Sequence, residues 1–187
     1  MPIDAKRYRL GRLGRVTDLT VAVRPAAEAE LPAIVESLEQ RLYFTDRLAR
    51  QRLGRGELLV AWLDGTAVGD VYLRLEGADE DLADLRDAPL LSHLEVLPPH
   101  RKQGIGSLLM QCAEAMAWCR GYDRVALGVT EDNTDAIRLY LSRGYALWRP
   151  DPIETYREIF REDGTVDAVP DEPCLVYVKR RPVAFIR

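Results

Sequence analysis

The stretch Val96-Leu97-Pro98-Pro99-His100-Arg101-Lys102-Gln103-Gly104-Ile105-Gly106-Ser107-Leu108-Leu109 decides the fold of this 187-residue chain. It reads as the end of an apolar strand, a tight glycine-bearing turn and the first turn of a helix. A helix start leaves its first backbone N–H groups without intrahelical partners and carries a partial positive charge. Glycines there let a ligand approach the backbone, so the segment suits a phosphate or diphosphate. Spacing excludes two other phosphate loops. No Lys-Ser or Lys-Thr pair follows either glycine, as a G-x-x-x-x-G-K-[ST] loop requires. Leu109 stands where the dinucleotide fingerprint G-x-G-x-x-G needs its third glycine.

A second segment, Asn133-Thr134-Asp135-Ala136-Ile137-Arg138-Leu139-Tyr140-Leu141-Ser142-Arg143-Gly144-Tyr145, predicts an amphipathic helix. Ala136, Ile137, Tyr140 and Leu141 take one face, and Thr134, Asp135, Arg138 and Ser142 the other. Asp132 or Asn133 suits the N-cap and Gly144 the C′ position.

Together the two segments resemble the Gcn5-related N-acetyltransferases, the GNAT superfamily. Arg101, Gly104 and Gly106 match the signature [RQ]-x-x-G-x-[GA]. The second segment matches N-x-x-A-I-x-L-Y-x-x-x-G-[FY], in the same order and at the expected separation. The resemblance covers Leu19 to about Lys179. It implies an α/β fold with a central, mostly antiparallel mixed sheet, flanked by helices. That sheet splays between its fourth and fifth strands, here 90–96 and 124–129.

The resemblance also implies acetyl transfer from acetyl-CoA, as cosubstrate and without a metal, to a primary amine that attacks directly in a ternary complex. The backbone of Lys102, Gln103, Gly104, Ile105, Gly106 and Ser107 would hold the diphosphate, with Arg101 and Gln103 flanking it. The strand near Leu94, Val96 and Leu97 would pair with the pantetheine arm. An N–H at Val96 or Leu97 would polarise the thioester carbonyl, a fixed donor aimed at developing negative charge. Asn133 would bond the coenzyme arm, beside Ala136 on the same helix, although it also reads as a plain N-cap. Tyr140 matches the family's general acid for the departing thiolate, and equally belongs to the apolar stripe.

Because the amine is the nucleophile, the protein needs no Ser or Cys nucleophile, but it does need a route for a proton. An alkylammonium has a pKa near 10.4, so at pH 7 only about one in 10³ is neutral. Some base or water chain must take that proton. Glu95 is the nearest carboxylate. Family enzymes with a base on this strand carry it an even number of residues before the valine at Val96, and those positions hold Leu94, Ser92 and Leu90. Glu95 has the opposite parity, beside His93, unless a bulge re-aims it. His93, Asp70 and a water-mediated route are the other options. Gly128 stands where ribosomal-protein N-terminal acetyltransferases tend to carry Glu, which disfavours that subclass.

The remaining elements follow from pattern. Strands are predicted at 19–24, 58–62, 67–75, 90–96, 124–129, 145–148 and 174–178. Helices are predicted with the stripe Leu31, Ile34, Val35 and Leu38, from Phe44 to Leu53, and from about Gly104 to Arg120. Asp64-Gly65 is a hairpin turn. Gly77 to Asp87 is acidic and reads as a surface loop or short helix. Asp151-Pro152-Ile153-Glu154 looks like an N-cap, Pro at N1 and a capping-box Glu, with Ile153, Tyr156, Ile159 and Phe160 as an apolar stripe, so a further helix is expected there. Residues 1–18, with five basic side chains among Lys6 to Arg15, are expected to be a solvated tail, and 19–187 a single domain.

Composition is that of a soluble globular chain, 47% apolar and 30% charged. No apolar run approaches the roughly 20 residues of a membrane span. Residues 1–15 lack the apolar core of a secretory signal. Cys112, Cys119 and Cys174 read as buried thiols in a reducing compartment, which points to the cytoplasm. With His93 and His100 alone, a zinc site is not expected. The net charge of −4 argues against a broad nucleic-acid surface and suits a small cationic amine as partner. A homodimer remains open. The readings in competition are a non-catalytic acyl-CoA-binding module of the same fold and a protein lysine or N-terminal acetyltransferase.

Overall fold

The computed structural model describes residues 6–10, 17–76 and 84–182, with 6–10 and 17–19 described by their backbone. The chain divides into two compact units, residues 1–73 with 93–113, and residues 74–92 with 114–187.

In the first unit, β1 (Lys6–Leu10), β2 (Thr17–Pro25), β3 (Gly56–Leu63) and β4 (Thr66–Arg74) follow one another across a sheet, and the second half of β5 (Leu90–Val96) comes next. β2 runs antiparallel to both β1 and β3. β3 and β4 are buried almost throughout, which explains their nearly unbroken apolar runs. Two helices link β2 to β3, α1 (Leu31–Leu38) and α2 (Arg41–Arg52). α1 buries Ile34 and Leu38, and α2 buries Tyr43, Phe44, Arg47 and Leu48. α3 (Ile105–Cys119) begins in this unit with Ile105, Leu108, Leu109 and Met110 inside.

The second unit is built on β6 (Arg124–Val129), α4 (Thr134–Ser142), β7 (Ala146–Leu147), β8 (Ile153–Phe160) and β9 (Val166–Arg180). The first residues of β5 join it through a parallel pairing, Leu90 with Ala126 and Leu91 with Leu127. β6 and β7 both run antiparallel to the second half of β9. Leu85, Ala88, Ala126, Ile153 and Val176 form a buried cluster, with Leu90, Trp148 and Val178 packed on it.

Three expectations are corrected. The segment 151–160 is a strand, not a helix: β8 pairs with the first half of β9, from Ile153 opposite Cys174 to Phe160 opposite Val166. The Ile153, Tyr156, Ile159 and Phe160 spacing imitates a helical stripe, yet Tyr156 is 61% exposed while Ile153 is buried, so those residues share no buried face. Asp163-Gly164-Thr165 turns the hairpin. Gly164 has φ 85°, and Asp163 accepts from both the backbone N–H and the hydroxyl of Thr165.

The expected tail carries β1. Three of its five residues are Lys or Arg, a composition common on sheet edges, and its ladder with β2 needs only backbone. Cys119 is exposed and Cys174 only half-buried, and Cys112 alone of the three is buried. The expectations for 1–5, 11–16 and 77–83 lie outside the described residues.

One close approach shapes the sheet beside the site. A Cβ on Gly69 of β4 would lie 2.5 Å from the Glu95 carbonyl oxygen and 3.2 Å from the Val96 Cα. Only glycine lets β4 and β5 come this close. Gly69→Ala is therefore expected to cost about 1–3 kcal/mol through overpacking, read as a lower denaturation midpoint at unchanged slope.

Candidate functional site

The turn before α3 is held by its own side chains. Pro98–His100 form a 3-10 turn. Arg101 Nε donates to the Val96 carbonyl at 2.8 Å, and Gln103 Nε2 donates to the Pro99 carbonyl at 3.0 Å. Both side chains brace the loop, where flanking a ligand was expected. Lys102 at φ 59° and Gly104 at φ 83° are left-handed, a backbone of the kind from which anion-binding nests are built. Leu108 N–H bonds to the Gly104 carbonyl at 3.0 Å. The N–H groups ahead of it in the first turn have no carbonyl four residues back within the helix. Ile105 is buried and anchors the helix start, Gln103, Gly106 and Ser107 are half-buried, and Arg101, Lys102 and Gly104 are exposed. These features fit a diphosphate held by backbone. Leu94, Val96 and Leu97 are half-buried along β5 and its exit. Leu97 N–H is already bonded to the Val68 carbonyl at 2.9 Å, so of the two N–H groups expected to polarise a carbonyl, this one is engaged.

Strand β5 departs from extended geometry at His93, which has φ 53°. His93 and Glu95 come to one cluster with Asp70 of β4 and Gln40, the residue before α2. His93 Nδ1 lies 3.0 Å from Asp70 Oδ2, and His93 Nε2 lies 3.1 Å from Gln40 Oε1. Gln40 Nε2 donates to Glu95 Oε2 at 3.1 Å. Tyr43 of α2 stacks on the imidazole, centroids 4.1 Å apart. Arg47 lies over the rings of Tyr43 and Tyr72.

Asp70 is fully buried, whereas the Glu95 side chain is 40% exposed. The donor atoms of Asp70, His93 and Glu95 fall within 4.8 Å of one another. Both imidazole nitrogens nevertheless face oxygen atoms of Asp70 and Gln40, so the cluster is a hydrogen-bond chain.

Its electrostatics favour a held proton. Burial pushes the Asp70 carboxyl up, against the hydrogen bond and charge of His93 that pull it down. Burial also disfavours the charged imidazole of His93, but the hydrogen bond and charge of Asp70, with the charge of Glu95, outweigh it and raise its pKa, Arg47 opposing. Both directions mean that the pair keeps a shared proton to higher pH than free histidine would.

In the second unit, Asn133 caps α4, its Oδ1 accepting from Ala136 N–H at 3.2 Å. Ala136 is half-buried and Tyr140 buried, while Leu141 of the expected apolar stripe is exposed. Burial, with the neighbouring Cys174, pushes the Tyr140 hydroxyl up. The Tyr145 N–H bonds to the Tyr140 carbonyl at 3.1 Å. Glu114 of α3 is buried and accepts from Lys179 Nζ at 2.6 Å, with Arg143 at 3.7 Å, which ties the end of α4 to β9. Thus the first unit gathers the loop residues and Glu95, and the second holds Asn133, Ala136 and Tyr140. Sequence reasoning missed Gln40, Tyr43 and Glu114. Gln40 lies in a short link with no motif, and no sequence signal marks it.

Residues 21–145 match the model of the acetyltransferase (GNAT) family. The chain belongs to that family. Among curated proteins, it is 36% identical over 156 residues to the mycothiol acetyltransferase of Thermobispora bispora, a match covering 79% of this chain and 49% of the relative. The chain spans about half the length of that relative. Solved structures share the fold. The PaiA N-acetyltransferase of Thermoplasma acidophilum, in complex with coenzyme A, superposes with TM-score 0.61 at 14% identity over 86% of this chain and 99% of that one. The ribosomal-protein-alanine N-acetyltransferase of Brucella melitensis gives 0.59 at 22% identity over 85% and 99%. The mixed α/β fold expected from the two motifs is therefore the fold observed.

Because the fold favours the protonated His93, that contribution to stability is complete below the ordinary value of 6.5 and is lost as pH rises through the raised one. Asp70→Asn removes the partner charge. It should lower the His93 pKa by about one unit, as read by titrating the imidazole resonances.

Proposed function

We propose that this chain is an N-acetyltransferase that moves an acetyl group from acetyl-CoA to the amino group of a small cationic acceptor, by direct attack within a ternary complex. The observation that carries this reading is the Arg101-x-x-Gly104-x-Gly106 turn, with left-handed Lys102 and Gly104 opening α3. The curated relative, named as an acetyltransferase, supports it. Residues 19–187 would act as one catalytic domain, in the cytoplasm.

Acetyl-CoA, when bound, supplies an acyl group activated as a thioester. The backbone of Lys102 to Ser107 holds its diphosphate, with Arg101 and Gln103 bracing the loop. Leu94 and Leu97 flank the coenzyme arm on β5, and the N–H of Val96 polarises the carbonyl, since that of Leu97 is bonded to Val68. By the family resemblance, Asn133 at the cap of α4 and Ala136 within it are the further residues assigned to the coenzyme.

Glu95, the exposed end of the hydrogen-bond chain, meets the acceptor ammonium, and the proton enters the chain that ends at the His93–Asp70 pair. A carboxylate and a buried pair suit a cation better than a neutral acceptor. Tyr140 protonates the departing thiolate. Its raised pKa keeps the hydroxyl protonated and able to donate.

The decisive experiment incubates the purified protein with acetyl-CoA and a panel of polyamines, aminoglycosides, amino acids and lysine peptides, and measures free-thiol release. Release with a cationic small amine is expected. Absence of release with every amine, while coenzyme A still binds, would show a binding module instead. Gly104→Glu should abolish coenzyme binding by calorimetry, through bulk and charge at the loop. Tyr140→Phe should lower kcat by about 10²-fold with binding preserved, and unchanged kcat removes Tyr140 from the reaction.

A further inference from the structure

The link between α1 and α2 is strained, and the strain delivers one side chain. Glu39 has φ 60° and ψ −129°, and Gln40 has φ 40° and ψ 43°. Consecutive left-handed residues other than glycine cost of order 1–3 kcal/mol each and persist where surrounding structure enforces them. Here they carry the Gln40 carboxamide to a point between His93 Nε2 and Glu95 Oε2, 3.1 Å from each.

The orientation of that carboxamide is fixed by chemistry. An ionised carboxylate only accepts hydrogen bonds. The NH₂ of Gln40 must therefore face Glu95, and its oxygen must face His93. An oxygen facing Nε2 requires a proton on Nε2. On the other side of the ring, Nδ1 faces a buried carboxyl oxygen of Asp70. The ring then either donates from both nitrogens to an ionised Asp70 or accepts at Nδ1 from a protonated one. In both cases the His93–Asp70 pair holds one extra proton. Removing that proton sets a lone pair of the ring against an oxygen, Gln40 Oε1 on one side or Asp70 Oδ2 on the other.

We propose that Gln40 is a positioning residue that couples the protonation of His93 to Glu95: held by the Glu95 carboxylate, its carboxamide keeps the imidazole pair protonated, and released from it, the carboxamide rotates and stabilises the deprotonated ring. Released means that Glu95 has turned to another donor. An acceptor ammonium at Glu95 is such a donor, and in this the inference rests on the proposed acetyl transfer. The rotated carboxamide presents NH₂ to the Nε2 lone pair, so arrival of a cation at Glu95 lets the pair pass its extra proton to solvent across the part-exposed His93 ring and then accept the ammonium proton in its place. Glu95 Oε2 itself lies 3.8 Å from Nε2, beyond hydrogen-bond reach. The other groups facing the ring are Tyr43, stacked on it from α2, and Arg47, whose charge opposes protonation. Neither makes the directional bridge that Gln40 makes.

The test separates the assignment of Gln40 from the reading of function. Gln40→Asn keeps a carboxamide and tolerates the left-handed backbone, but is one methylene too short to bridge. It should lower the His93 pKa, followed by imidazole NMR in the full chain without substrate, by about half a unit to one unit, the effect of losing one hydrogen bond. Gln40→Glu, which places a second acceptor-only group on Nε2, should raise it. Glu95→Gln should lower the pKa by less in the Gln40→Asn background than alone, because the two act through one bridge. A His93 pKa within about 0.2 unit of the parent in folded Gln40→Asn, well below the loss of one hydrogen bond, or strict additivity with Glu95→Gln, overturns the proposal. The kinetic arm is the acidic limb of the kcat/KM profile, which should move to lower pH in Gln40→Asn along with the NMR value. A shifted NMR pKa with no acyl transfer to any amine leaves the Gln40 assignment standing and removes the acetyltransferase reading.

Discussion

The first unit's cluster depends on one buried contact, the carboxyl of Asp70 on β4 against the imidazole of His93 on β5. His93 at φ 53° places its own ring on Asp70 while the strand runs on toward Leu97 and the α3 loop. Two residues further on, the backbone of Glu95 and Val96 passes close to β4 at Gly69. His93 and Glu95, two residues apart, fall on one face of β5 by regular alternation, and Gln40 reaches both. The Asp70 contact thus fixes the ring, and Gln40 ties it to Glu95.

Much of this was legible in the sequence because it rests on local spacing. The turn with Gly104 and Gly106, the α4 cap at Asn133 and the Asp64-Gly65 hairpin all declare themselves within a few residues. The 151–160 segment was misread for an equally physical reason. Its Pro152 and Glu154 imitate a helix start, and its apolar spacing fits both periods. The deciding partner, residues 166–174, lies across the Gly164 turn, and pairing with a distant strand overrides local propensity. The β1 strand was invisible because backbone pairing at an edge asks nothing of side-chain pattern. Gln40 was invisible because a left-handed glutamine has no sequence signature. Parity did place Glu95 beside His93, and the two share one cluster, but nothing in the residues said that Gln40 would join them.

The second unit uses buried charge differently. Glu114, with Lys179 and Arg143, sits among the elements that carry α4. A buried ion pair of this kind roughly breaks even against a well-packed apolar substitute, yet losing one partner costs several kcal/mol. Its effect is therefore geometric more than energetic. It fixes the end of α4 against β9, and Tyr140 is bonded through its carbonyl to both Arg143 and Tyr145 N–H groups. The backbone that carries Tyr140 is thereby pinned at the end of α4.

Asp70 makes the contrast complete. It is fully buried, and among the described residues its Oδ1 meets no hydrogen-bond partner. Leaving such an oxygen unsatisfied costs about 1–3 kcal/mol, and a small apolar residue in the same place would avoid that cost. Packing therefore gives no reason for a carboxylate between Gly69 and Val71. The contact with His93 does. The Asp70 bond and the Tyr43 stack fix the ring in position and in plane, so the one degree of freedom left to the imidazole is its proton. A side chain that is expensive to bury, on a strand otherwise apolar, is then explained by what it does to that proton, and the burial that makes Asp70 costly is the same burial that makes its hold on His93 strong.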